Sequence, residues 1–207
     1  MPRPNENRAD AVGVLERRNF RVDKIVVERR ENAAPKIAGH AAVFNALSED
    51  LGWFREKIDP GAFAATIKED DVRALFNHDP NLVLGRNVSG TLRMTEDGVG
   101  LAIEVDPPDT QAARDVMVLI DRGDVSQMSF AFRVLEEAWE YGEKGEPDIR
   151  TLKKVRLYDV SPVTYPAYPQ TDVALRSHQV WTEQRKKEDP RNDLELRRRM
   201  LDLAALS

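Results

Sequence analysis

The sequence has no cysteine in its 207 residues. Disulfides, thiolate nucleophiles and cysteine-bound metals are thereby excluded. Any nucleophile must be a hydroxyl, an amine or a carboxylate. Histidine is scarce as well: His40, His78 and His178 are the full set. They are too scattered to form a His-x-x-x-His zinc pair. No apolar run approaches the ~20 residues of a membrane span. Residues 1–18 lack the apolar core of a secretory signal, so a reducing cytoplasm is compatible with the chain. There is no Walker A loop, no Gly-x-Gly-x-x-Gly opening a helix and no Gly-x-Ser-x-Gly elbow. The net charge is -5. The basic clusters Arg17-Arg18, Lys186-Lys187 and Arg197-Arg198-Arg199 are each interleaved with acids. They read as solvated faces, not as a nucleic-acid surface.

Hydrophobic residues make up 41% and charged residues 32% of the chain, which suits one domain of moderate size with polar ends. Residues 1–19 read as a flexible arm, 20–176 as the domain, and 177–207 as a polar tail ending in a helix near 191–206. Within the domain, strand patterns cover 20–28, 36–45, 53–58, 71–76, 91–95, 99–105, 125–135 and 151–160. Pro80 is expected to stop regular structure after the fourth of these. Asp59 is placed to cap a helix that starts at Pro60 and runs to Glu69. Asp109 or Thr110 caps a second helix, closed by Gly123. Many strands and few helices predict an α+β fold, built on a mostly antiparallel, barrel-like sheet.

The stretch Met128-Ser129-Phe130-Ala131-Phe132 alternates with a period of two, which puts Ser129 opposite the phenyl rings. A serine there is either filler or a nucleophile held on a rigid element. His78, in a turn after a buried-looking strand, is the base candidate, although a turn histidine also has an ordinary local role. Asp159 ends the last strong strand, where it either orients an imidazole or begins a turn. His40 reads as a half-buried sheet residue and His178 as a solvated tail residue.

Several segments carry a resemblance when taken together. They are Gly39-His40-Ala41-Ala42-Val43-Phe44-Asn45, Ile58-Asp59-Pro60-Gly61-Ala62-Phe63, Leu75-Phe76-Asn77-His78-Asp79, Leu84-Gly85, Gly100-Leu101, Ser126 to Phe132, and Asp159-Val160-Ser161-Pro162-Val163-Thr164. Their order and spacing resemble the prohead maturation proteases of tailed bacteriophages, serine peptidases related to the herpesvirus assembly protease. The resemblance spans roughly residues 37–173. It implies His78 as the catalytic base, Ser129 as the nucleophile and Asp159 as the third member, with His40 and Glu104 as alternatives for that last role. It further implies an acyl-enzyme mechanism without metal or cofactor. The expected substrates are scaffold, or the scaffold-like N-terminal part of the major capsid protein, and the protease itself, inside the prohead in the host bacterium. Neither nucleic acid nor membrane is an expected partner, and a homodimer is left open. The competing reading is a catalytically idle capsid-assembly or scaffold-binding protein with the same fold.

Overall fold

The computed structural model describes residues 15–19, 25–29, 31, 33–51, 53–142, 146–165 and 178–184. The helix expected near 191–206 lies outside these residues. Among the described residues, ten strands form two sheets. The first has the order β1-β9-β10-β5-β6, with β4 also paired to β10. Its members are β1 (Glu16–Arg18), β4 (Phe54–Ile58), β5 (Arg73–Phe76), β6 (Asp79–Arg86), β9 (Gln127–Glu140) and β10 (Asp148–Val163). The second has the order β2-β3-β8-β7, from β2 (Val26–Glu28), β3 (Lys36–Val43), β7 (Leu92–Glu96) and β8 (Gly100–Val105). The helices are α1 (Thr66–Glu69) and α2 (Gln111–Arg122), and residues 178–184 are also helical.

The α+β expectation holds, but among the described residues the strands form two open sheets, not a closed barrel. The reason lies in β10. One of its edges pairs with β9 along nearly its whole length, antiparallel. Its other edge is shared by two short parallel strands, β4 at residues 148–152 and β5 at residues 159–160. The stretch between them is capped by a turn and a short helix instead of a strand. There the Val155 N–H donates to the Ala62 carbonyl (3.1 Å), and the Leu157 N–H donates to the Thr66 hydroxyl (2.8 Å). This arrangement satisfies backbone groups that would otherwise be buried without partners. It also explains why the expected helix from Pro60 to Glu69 shrinks to the four residues of α1: Gly61 has φ +92°, outside helical space, and residues 61–65 form turns.

The core lies between the sheets. Ile37, Ala42, Leu101, Ile103 and Val105 come from one sheet, and Met128, Phe130, Phe132, Leu157 and Val160 from the other. Phe63 meets Phe130 edge-on, with ring centroids 5.7 Å apart. Helix α2 follows its sequence pattern: Ala113, Val116, Met117 and Ile120 are buried at i, i+3, i+4 and i+7 spacing. The Thr110 side chain accepts from the Ala113 N–H, and Gly123 ends the helix at φ +80°. At the β3–β8 contact, a Cβ on Gly100 would lie 2.0 Å from the Ala42 carbonyl oxygen. Backbone, unlike a flexible side chain, cannot yield there. Gly100→Ala is therefore expected to lower unfolding stability by about 1–3 kcal/mol or more, read as a lower denaturant midpoint.

Two further expectations change. Pro80 falls inside β6 and does not end regular structure; β6 is an outer strand of its sheet, where a missing N–H is tolerated. At the N-terminus, the boundary expected at residue 19 cuts off a strand: Glu16–Arg18 pairs with Phe130–Phe132 of β9, and Glu16 and Arg18 are buried.

Candidate active site

The site is built where β9, β10 and the β5–β6 hairpin meet. Ser129 of β9 stands opposite Ser161 of β10, and Ala131 opposite Asp159. The register reaches this point through a bulge: Leu157 opposes Phe132, yet Asp159 opposes the very next residue, Ala131. The extra residue, Tyr158, turns Asp159 onto the face of Ser129 and away from the face of the core leucine. Bulges of this kind re-aim side chains beside sites.

His78 arrives from the hairpin. Residues 77 and 78 form a two-residue loop between Phe76 and Asp79, and both have positive φ, +54° and +58°. This is the signature of a type I′ turn, which prefers Asn-Gly. Asn77 suits the first position. A histidine at the second holds a conformation that costs on the order of 1–3 kcal/mol. The end of β10 braces the turn. The Asn77 N–H donates to the Pro162 carbonyl (3.0 Å), and the Asn77 side-chain oxygen accepts from the Thr164 N–H (2.9 Å). The Ser-Pro-Val-Thr segment thereby fixes where the imidazole points.

The imidazole is held from both sides. Its Nδ1 lies 2.6 Å from Asp159 Oδ1 and its Nε2 lies 2.8 Å from Ser129 Oγ. With Nδ1–H donating to the carboxylate, Nε2 carries the free lone pair and accepts from the serine hydroxyl. All three side chains are largely shielded: Ser129 is fully buried, and the His78 and Asp159 side chains are 7% and 11% exposed. Ser161, part of a motif noted in the sequence but given no role, also donates to Asp159 Oδ1 (2.7 Å). Its position two residues after Asp159 on one strand face was the available signal. A second unanticipated partner is the Arg18 carbonyl of β1, which accepts from Ser129 Oγ at 3.0 Å.

The alternatives for the third member lie on the other sheet. His40 of β3 binds Asp97 (2.8 Å), and Glu104 of β8 binds Lys36 and Arg93. The N–H of Gly100 first, then His40, holds the Asp97 carboxyl down at about 2. His178, expected to be solvated, instead stacks on Phe54 with ring centroids 5.4 Å apart and lies 3.2 Å from Asp148. Trp181 of the same helical segment stacks on Trp139 and Tyr141. This aromatic packing seats the helical segment on the ends of β4, β9 and β10.

The sequence model of the caudovirus prohead serine protease family matches residues 23–186. Among solved structures, the capsid assembly protease gp21 of bacteriophage T4 aligns with a TM-score of 0.46 at 10% identity, over 72% of this chain and 96% of that one. No curated protein sequence matches significantly. With the family model covering well over half its length, the chain belongs to the caudovirus prohead serine proteases.

Proposed function

We propose that this protein is an active serine endopeptidase of phage head maturation, with Ser129 as nucleophile, His78 as general base and acid, and Asp159 as the group that orients His78. The observation that carries the proposal is the continuous hydrogen-bond chain from Ser129 Oγ through both imidazole nitrogens to Asp159. His78 Nε2 takes the hydroxyl proton as Oγ attacks a scissile carbonyl. It then gives that proton to the leaving amine. Water, deprotonated by the same imidazole, clears the acyl-enzyme. Asp159 keeps Nδ1 protonated, and so keeps Nε2 basic, while its charge favours the imidazolium that forms in between. Ser161 holds Asp159 in place.

The substrates are scaffold, or the scaffold-like N-terminal part of the major capsid protein, together with the protease's own chain. The place of action is the interior of the prohead in the infected cell. Among the described residues no helix is long and apolar enough to cross a membrane. The test is co-expression with the cognate capsid and scaffold proteins, followed by intact mass, with a fluorophosphonate probe applied in parallel. Labelling of Ser129 and trimming of either partner support the reading. Normal shells with untrimmed subunits and an unlabelled Ser129 would replace it with an assembly role.

A further inference from the structure

Strand β1 crosses the nucleophile in the way an extended peptide would. It adds antiparallel to β9, with Glu16 opposite Phe132, Arg17 opposite Ala131 and Arg18 opposite Phe130. The next residue, Asn19, reaches Gln127 with its side-chain amide (3.5 Å). The segment therefore passes on both sides of Ser129. At the crossing, the Arg18 carbonyl oxygen lies 3.0 Å from Ser129 Oγ. A strand added to a sheet edge beside a serine, with one carbonyl against the hydroxyl, is a peptide-recognition geometry.

The side chains flanking that carbonyl are read by a buried charge cluster. Arg18 donates through Nε to Glu56 of β4 (3.0 Å) and through Nη2 to Glu16 (2.5 Å). Arg150 of β10 binds Glu16 and Glu56, both at 3.0 Å, and Glu137 of β9 at 2.6 Å. Glu56 is fully buried and Arg150 is 1% exposed. Removing β1 leaves one guanidinium, Arg150, facing two carboxylates, Glu56 and Glu137. The vacated cleft then has an unpaired edge of Glu56 where Arg18 lay. It also has free Arg150 donors where Glu16 lay. Such a cleft favours a cation at the residue supplying the scissile carbonyl and an anion two residues earlier.

We propose, on the basis of the protease reading above, that Glu56 and Arg150 form the specificity pocket of the enzyme. The pocket selects a Glu-x-Arg sequence before the cut, and residues 16–18 occupy it as an internal substrate whose scissile bond is Arg18–Asn19. In the reaction, Ser129 Oγ bonds to the Arg18 carbonyl carbon. The bond to the Asn19 nitrogen breaks, and His78 passes the serine proton to that nitrogen. Water then hydrolyses the ester to give an Arg18 carboxylate and free Ser129. Before the cut, docked β1 also restrains the site. The serine has one proton and two acceptors, His78 Nε2 and the Arg18 carbonyl.

The test uses the full chain as wild type, Arg18→Ala and Glu56→Gln, read by intact mass and by the rate of fluorophosphonate labelling of Ser129. Wild type is expected to yield fragments ending at Arg18 and beginning at Asn19. Both variants are expected to lose that cut by at least tenfold, and Arg18→Ala, which vacates the cleft without changing the pocket, is expected to label at least as fast as wild type. Labelled wild type that cuts only elsewhere, or variants that still cut after residue 18 at the wild-type rate, would overturn the pocket and leave the protease reading standing. Absence of labelling in all three chains would remove both.

Discussion

Ser129→Ala is expected to lower kcat on any cleaved capsid or scaffold polypeptide by about 10⁶-fold, and Asp159→Asn by about 10⁴-fold, with the fold unchanged. The two losses differ because the roles differ. Without Oγ no acyl-enzyme forms, and water must attack unaided. With asparagine at 159, the serine and imidazole remain, but an amide that donates to Nδ1 stabilises the wrong tautomer, in which Nε2 carries the proton. Ser161→Ala gives a third step on the same scale. Losing a hydrogen bond to a carboxylate costs about 1.5–3 kcal/mol, so a loss of about ten- to a hundredfold is expected, confined to kcat. Single-turnover kinetics with a purified substrate separates the three, and circular dichroism checks that each variant is folded. Equal rates for wild type and Ser129→Ala would reduce the hydrogen-bond chain to a structural feature.

The largest effect on stability is expected from Arg150→Met. That side chain is buried and binds Glu16, Glu56 and Glu137 at once. Methionine matches much of its volume but leaves Glu16 and Glu56 sharing Arg18 and takes the Arg150 ion pair from Glu137. Breaking a buried ion pair from one side costs about 3–5 kcal/mol, which should appear as a lower midpoint in urea. Acid should act on the same cluster from the other side. Burial pushes the Glu16 carboxyl up, but Arg150 and then Arg18 outweigh it, so its pKa lies below the ordinary 4.5. A carboxylate with a depressed folded pKa contributes stability that is fully present above its ordinary value. That contribution is lost as pH falls through the lower, folded value. The hold of β1 on β9 is therefore expected to persist at neutral pH and to weaken in acid, as pH falls below the ordinary 4.5 and through that lower value. Hydrogen exchange of residues 15–19 across that range would show it. Protection unchanged throughout that acid range would mean that the strand is held by its backbone pairing alone.

Much of the site could be read from the sequence because its parts lie in short, strongly patterned segments. The alternation around Phe130 and Phe132 gave the face of Ser129, and the strand that stops at Asn-His-Asp put His78 in a turn; their roles as nucleophile and base came from the resemblance carried by the ordered motifs. The hairpin at Glu96-Asp97-Gly98 and the capped helix after Thr110 follow the same local rules. What period-two reading could not place was the face of Asp159. Leu157 and Asp159 are two apart and should point the same way, yet the bulge between them separates their faces. Bulges leave little trace in a single sequence. Strand β1 was missed for a different reason. Glu16 and Arg18 look solvated, and their long-range partners Arg150 and Glu56 make their burial affordable. Charge pairing across more than a hundred residues has no local signature. The open sheets escaped the reading likewise, since strand count does not reveal that β4 and β5 share one edge of β10.

Strand β1 belongs to the same polypeptide as Ser129, and that gives its occupancy an unusual dependence on surroundings. A tethered segment has an effective concentration on the order of millimolar for a short linker, and dilution does not change it. Until the Arg18–Asn19 bond is cut, a protease molecule therefore remains covered by its own strand however few copies are present. A polypeptide substrate in trans would compete only where its local concentration reaches a similar level. Packing many substrates into one closed volume achieves this, whereas dispersal through a cell does not. As long as the Arg18–Asn19 bond is intact, covalent continuity between β1 and the domain thus makes access to the serine a measure of confinement.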